Sequence, residues 1–291
     1  MKAYELDAMR RAIAISAQGL GSTSPNPPVG CVVLGRDGRV VGEGYHVRKG
    51  ESHAEVNALE AAGGRAVGGT AVVTLEPCNH YGRTPPCREA LIDAGVARVL
   101  IAVLDPTSRG EGGAALLRAA GVEVEQGVLA DEALLVLGPW LASLTRGRPF
   151  VTWVYGAGEG ERRSPVSDEV RRLRQSYDVV IRASGKVEEG NPGRHGDGVF
   201  RVPRLSPGAS GDEVLKVLDG AGVRSVLVEG ASAGSSLAAL ADRVICYLPP
   251  TPSGVPYAPP RHPPVALPAG FRLTDVSRDA EYVRLVGERE V

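Results

Sequence analysis

His53, Glu55, Cys78 and Cys87 are the residues of this 291-residue chain best suited to chemistry. One imidazole and two thiolates suit Zn²⁺ and leave the fourth tetrahedral position open for water. Bound zinc brings the pKa of such a water toward ~7, so hydroxide becomes available near neutral pH. Glu55 lies two residues past His53 in His53-Ala54-Glu55. It cannot share the ligand's direction, yet it can reach the same pocket, where a carboxylate takes a proton from water and hands it to a leaving group. Hydroxide attack with a nearby Glu shuttling protons is how an amino group is hydrolysed from a nucleobase ring.

The usual form of such a site is H-x-E followed by P-C-x-x-C. Here Pro77 precedes Cys78, and eight residues separate Cys78 from Cys87. The longer excursion still permits one cluster. Pro85-Pro86 precede a helical run over residues 87–92, which places Cys87 at a helix start. The positive end of the helix dipole favours a thiolate there. His53 opens a second helical run over 54–62, and Cys78 follows a strand-like run over 71–75. The plain alternative is two free thiols and an unrelated histidine; the order, the proline and the paired glutamate favour the metal. Cys31 and Cys246 sit in apolar runs and read as core thiols.

The elements that must position this cluster follow from periodicity. Residues 4–19 form a helix with Leu6, Met9, Ile13 and Ala17 on one face. Strands at 31–34 and 40–45 join through Arg36-Asp37-Gly38. Helix, strand, helix and strand then alternate through a strand at 99–104, a helix at 114–120, a strand at 122–128 and a helix at 130–144. That pattern predicts a layered α/β domain with the cluster at a strand's carboxyl end. Thr145-Arg146-Gly147-Arg148-Pro149 is the expected boundary, giving domains 1–146 and 147–291. Beyond it, strands at 150–155, 179–183, 225–228 and 244–248 alternate with helices at 167–177, 212–221 and 233–241. Gly190–198 reads as a glycine-rich loop and the proline-dense residues 249–268 as irregular chain.

Length alone suggests two domains, and an apolar share of 43% supplies their cores. A net charge of −1 argues against strong nonspecific nucleic-acid binding. No apolar stretch reaches the ~18 residues of a spanning helix, and the N-terminus lacks a signal-peptide core. Four cysteines in this length make no disulfide framework, so a reducing cytoplasm is expected.

Several segments together resemble the riboflavin-pathway deaminase family, the diaminohydroxyphosphoribosylaminopyrimidine deaminases. They are Thr23-Ser24-Pro25-Asn26-Pro27-Pro28-Val29-Gly30-Cys31, Gly42-Glu43-Gly44-Tyr45-His46, His53-Ala54-Glu55-Val56-Asn57-Ala58-Leu59 and the whole run from Pro77 to Cys87. The resemblance is dense over residues 1 to 150. It implies a cytidine deaminase-like three-layer domain followed by a shortened dihydrofolate reductase-like α/β domain. It also implies one zinc per chain on His53, Cys78 and Cys87, with Glu55 as the catalytic acid and base. Asn26, which by itself reads as a turn residue bonding its own backbone, falls on a substrate-binding position. So do His46 and His80, and Asp105. Arg83 falls where the family has Lys or Arg, and its guanidinium suits a phosphate; read alone it is a surface charge. The implied substrate is a phosphoribosylamino-diaminopyrimidine, free rather than in a nucleic acid, and the implied assembly is a homodimer or larger homo-oligomer.

Departures accompany the likeness. The family's Asp-Pro-Asn-Pro is Asp105-Pro106-Thr107-Ser108 here, which leaves a related diaminopyrimidine from a specialised pathway open. In the second domain the family's Lys-x-Ala-x-Ser-x-Asp-Gly becomes Thr152-Trp153-Val154-Tyr155-Gly156-Ala157-Gly158-Glu159-Gly160. Gly-x-Gly-Thr becomes Arg182-Ala183-Ser184-Gly185-Lys186, and Val-Glu-Gly-Gly becomes Val228-Glu229-Gly230-Ala231. Bulk and charge at Arg182 oppose close backbone approach to a phosphate. The expectation is a reductase fold without its NADPH site. The alternatives are a true bifunctional deaminase-reductase and a second domain that serves as a dimerisation scaffold.

Overall fold

A computed structural model describes residues 1–81, 85–108, 110–156, 168–196, 201–206, 208–230, 236–248, 267–279 and 282–290. The chain forms two compact units, Met1–Leu141 and Ala142–Val291.

In the first unit, helix α1 (Ala3–Ser16) precedes the hairpin of β1 (Gly30–Leu34) and β2 (Val40–Tyr45). Then come α2 (Ala54–Ala62), β3 (Thr70–Leu75), α3 (Cys87–Asp93) and β4 (Arg98–Val103). The last elements are α4 (Gly112–Ala119), β5 (Glu123–Gln126) and α5 (Ala130–Arg146), whose residues from Ala142 on belong to the second unit. The sheet runs β2-β1-β3-β4-β5. Pairing is antiparallel from β2 to β3 and parallel from β3 to β5.

Strand alternation puts helices on both faces of this sheet. A Cβ on Gly30 would meet the Ala12 carbonyl of α1 at 2.1 Å. One on Gly44, paired with Cys31, would lie 2.5 Å from the Ala58 nitrogen and 2.6 Å from the Ala54 oxygen of α2. Gly30 and Cys31 are neighbours on one strand, so α1 and α2 cover opposite faces, the expected three layers. Glycine at position 44 lets α2 lie directly on the sheet, and that contact fixes the start of α2, where His53 and Glu55 stand.

The buried stripe of α1 is Glu5, Ala8, Met9, Ala12, Ile15 and Ser16, rather than the predicted Leu6, Met9, Ile13 and Ala17. Two physical facts turn the helix. Small residues at 8 and 12 allow the close approach to Gly30, and the Glu5 carboxylate is buried because Arg98 pairs with it. Arg98 also holds Glu123 at 2.9 Å and pairs with Glu125, which ties α1 to the starts of β4 and β5. A charged residue on the buried face hides the stripe from hydropathy.

The second unit holds β6 (Phe150–Gly156), α6 (Asp168–Gln175), β7 (Val179–Ile181), β8 (Val187–Glu189), α7 (Gly211–Gly220) and β9 (Ser225–Glu229). It continues with α8 (Ser236–Ala239), β10 (Arg243–Leu248), β11 (Phe271–Asp279) and β12 (Tyr282–Arg289). The sheet runs β11-β12-β10-β6-β9-β7-β8. Its four central strands are parallel, and antiparallel strands close both edges. Three of these strands are absent from the sequence reading. β8 follows a tight turn in which Arg182 N donates to Lys186 O at 2.9 Å, so the strand expected to run to 183 ends at Ile181. β11 and β12 carry Arg272, Asp275, Arg278, Arg284 and Glu288, which break the two-residue alternation. Asp242, buried before β10, accepts from Arg148 at 2.7 and 2.8 Å and from Val151 N at 2.9 Å, so part of the predicted linker is anchored. No helix among the described residues is long and apolar enough to cross a membrane.

Candidate active site

Three elements bring the predicted donors together. His53 is the N-cap residue of α2, Cys87 opens α3 behind Pro86, and Cys78 follows the end of β3. The imidazole nitrogen and the two sulfurs lie within 4.8 Å of one another. His53 Nδ1 is 3.2 Å from the Cys87 sulfur and 3.6 Å from the Cys78 sulfur. The Cys87 backbone N–H, at the start of α3, donates to the Cys78 sulfur at 3.3 Å, so the helix start favours a thiolate at Cys78 rather than at Cys87, where it was expected. The hydrogen bond from Cys87 holds Cys78 well below the usual thiol range, and the same bond with burial pushes Cys87 up. One borderline nitrogen and two soft sulfurs, one of them already thiolate-like, form a donor set that fits Zn²⁺ with a position to spare.

Glu55, one residue into α2, is 3% exposed. Burial raises its carboxyl to about 7; His53 opposes the rise and Cys78 adds to it. Glu55 therefore faces the metal-type cluster from the helix that carries His53, without being one of its three donors.

Beside the cluster, His46 packs edge-on against His53 with ring centroids 5.3 Å apart. Both of its nitrogens are engaged within the protein. Nδ1 meets the Ser52 carbonyl at 3.1 Å and must donate to it. Nε2 is left as an acceptor, and the Asn26 amide nitrogen lies 3.2 Å away. Burial lowers the His46 pKa, which favours the neutral ring. The consequence is directional: Asn26 gives its N–H to His46, which leaves its carbonyl oxygen as the acceptor for other partners. His46, expected as a substrate contact, thus has both ring nitrogens on protein groups, one of them on Asn26, which is also expected at the substrate. The Asn26 turn is held by Asn26 N donating to Thr23 O at 3.0 Å and by Trp140 Nε1 donating to Pro25 O at 3.1 Å. Asn57 secures the other side, donating to Tyr45 O at 2.9 Å.

The remaining predicted residues are less closely joined. His80 is exposed in the inter-cysteine loop, and Arg83 lies outside the described residues. Asp105 Oδ1 accepts from the Thr107 backbone at 2.8 Å and from its hydroxyl at 2.7 Å. Thr107 therefore completes a turn with Asp105. Glu76, to which the sequence reading gave no role, is buried and binds two distant backbone amides. Its signal was its position, a carboxylate at a strand end directly before Pro77-Cys78.

Residues 3–103 match the family model of the cytidine and deoxycytidylate deaminase zinc-binding region. The diaminohydroxyphosphoribosylamino-pyrimidine deaminase of Buchnera aphidicola is 49% identical over 126 residues, which cover 85% of that protein and 43% of this chain. This chain belongs to the diaminohydroxyphosphoribosylamino-pyrimidine deaminase family. Within that family, the riboflavin biosynthesis protein RibD of Escherichia coli is 42% identical over 197 residues, or 63% of this chain. The chain spans about half the length of that relative, 53%. A solved diaminohydroxyphosphoribosylaminopyrimidine deaminase/5-amino-6-(5-phosphoribosylamino)uracil reductase from Thermotoga maritima superimposes with a TM-score of 0.78 at 26% identity. That match covers 98% of this chain and 99% of the other. Both units thus have counterparts in a deaminase/reductase structure, and the family's zinc region coincides with the His53-Cys78-Cys87 cluster.

Proposed function

We propose that the chain hydrolytically deaminates a diaminopyrimidine, 2,5-diamino-6-(5-phosphoribosylamino)pyrimidin-4(3H)-one, to the corresponding uracil. The observation that carries this reading is the closure of His53, Cys78 and Cys87 around one point with the buried carboxyl of Glu55 beside them. His53, Cys78 and Cys87 would hold one zinc ion, which supplies the Lewis acidity that makes water a nucleophile near neutral pH.

Glu55 takes a proton from the attacking water. The new carbon–oxygen bond forms at the ring carbon bearing the exocyclic amine, Glu55 passes the proton to that nitrogen, and ammonia leaves as the carbon–nitrogen bond breaks. A carboxyl raised by burial to about 7 is suited to both accepting and returning a proton near neutrality. Asn26 presents its carbonyl oxygen to a ring N–H, in the orientation set by neutral His46. By family resemblance His80 faces the ring and Arg83 the phosphate. Asp105 shapes the pocket edge through its turn with Thr107. In the second unit we infer that the reductase activity is lost.

The substrate is tested by comparing the phosphoribosyl diaminopyrimidine with its dephosphorylated form. The phosphorylated compound is expected to show a kcat/KM about 10- to 100-fold higher, the effect of one charge-assisted phosphate contact worth about 1.5–3 kcal/mol. Equal values for the two compounds would remove Arg83 from its clamp role and point to a different pyrimidine.

A further inference from the structure

Glu76 follows β3 and stands directly before Pro77-Cys78. It is 7% exposed, and two backbone amides from a distant part of the chain hold its carboxylate. Oε1 accepts from Ala114 N at 2.9 Å and Oε2 from Asp105 N at 3.2 Å. Ala114 lies in the first turn of α4, whose own N-cap residue, Glu111, supplies no side-chain cap. A carboxylate at a helix start satisfies an orphan N–H and meets the positive end of the dipole. Glu76 therefore caps α4 from 38 residues away. Glycines admit it: a Cβ on Gly112 would lie 2.6 Å from Glu76 Oε1, and one on Gly113 would lie 2.0 Å from the Pro77 carbonyl oxygen. The Glu76 backbone N–H meanwhile donates to Val103 O at 2.9 Å and keeps the strand end in register with β4.

From these contacts we propose that Glu76 is a positioning residue of the metal centre, because it fixes the direction in which the chain leaves β3 and hence the place of the Cys78 sulfur. Pro77 adds a rigid φ to that exit. The loop that carries Asp105 and the segment that carries Cys78 share one anchor, so a disturbance of that anchor reaches the donor set. The inference rests on His53, Cys78 and Cys87 being zinc ligands, and the wild-type chain tests that separately.

The full chain is compared with Glu76→Gln, Glu76→Ala and, as a control, Glu123→Gln, an exposed acid on β5. Three quantities are measured: zinc affinity by competition with a chromophoric chelator, the visible spectrum of the Co²⁺-substituted protein, and the thermal midpoint of the metal-free protein. Glu76→Ala is expected to weaken zinc binding about tenfold or more, the range for residues that support metal ligands, and to alter the cobalt bands. Glu76→Gln keeps a carbonyl acceptor for one amide and recovers part of the affinity. Glu123→Gln leaves affinity and spectrum unchanged. A lowered metal-free midpoint in both Glu76 variants, with wild-type zinc affinity and cobalt spectrum, would overturn the proposal and leave Glu76 as a helix cap alone. If Glu76→Ala does not fold, Glu76→Gln decides on the same two metal readouts. Failure of the wild-type chain to bind zinc would overturn the ligand set, and this proposal with it.

Discussion

Glu55→Gln is expected to lower ammonia release from the diaminopyrimidine by about 10²- to 10⁴-fold, the range supplied by a positioned acid and base, while one zinc per chain stays bound. The substitution isolates the proton. Glutamine matches the volume of the buried side chain and keeps an oxygen at the same place, so the α2 start packs as before. Glu55 is not one of the three donors within 4.8 Å of one another, so metal content has no reason to change. What is lost is a group able to take a proton from water and return it to nitrogen. Cys87→Ser makes the contrast, because it removes a donor and is expected to lower zinc content and ammonia release together. Ammonia release undiminished in a zinc-loaded Glu55→Gln protein would sink the mechanism.

The site was legible in the sequence where one local feature fixes a residue's place. His53 and Cys87 stand at helix starts because a histidine precedes the run at Ala54 and Pro86 precedes Cys87, and α2 spans the residues expected of it. Where placement depends on a partner far along the chain, periodicity is silent. Nothing near Glu76 in sequence announces Ala114, and nothing near His46 announces that Asn26 and Ser52 take both ring nitrogens. The rotation of α1 has the same origin, since Arg98 neutralises Glu5 from 93 residues away. In the second unit the edge strand β11 is held by β12 and β12 by β10, not through an apolar alternation of their own. Zinc-type ligation is a local pattern of residue types. The hydrogen bonds that orient it are tertiary.

NADPH, added to the full chain, is expected to show no saturable binding at micromolar levels and to leave the thermal midpoint of the second unit unchanged. A bound ligand at 100-fold its dissociation constant would contribute about 2.7 kcal/mol, a shift easily measured. The likeness to the Thermotoga maritima deaminase/reductase extends over 98% of this chain and, taken as fold, argues for binding. The side chains argue against it. In open α/β sheets, ligands bind beyond the carboxyl ends of the parallel strands, where small residues let a phosphate approach the backbone. At the end of β9, Glu229 is 1% exposed and grips Arg174 of α6, with Arg174 Nη2 at 3.1 Å. Arg182, just past β7, reaches the same carboxylate at 2.7 Å and also Glu188 at 2.6 Å. Trp153 is paired with Val228, so its side chain lies on the sheet face opposite that of Glu229. Its indole N–H donates to the Gly230 carbonyl at 2.5 Å. An ion-paired cluster on one face and an indole on the other thus occupy the strand ends among the described residues. To admit a dinucleotide phosphate, the chain would have to free Arg182 from two carboxylates and leave Glu229 buried with one fewer partner, a costly exchange for a buried charge. Saturable micromolar NADPH binding accompanied by reduction of the ribosyl group would overturn this reading and make the chain bifunctional.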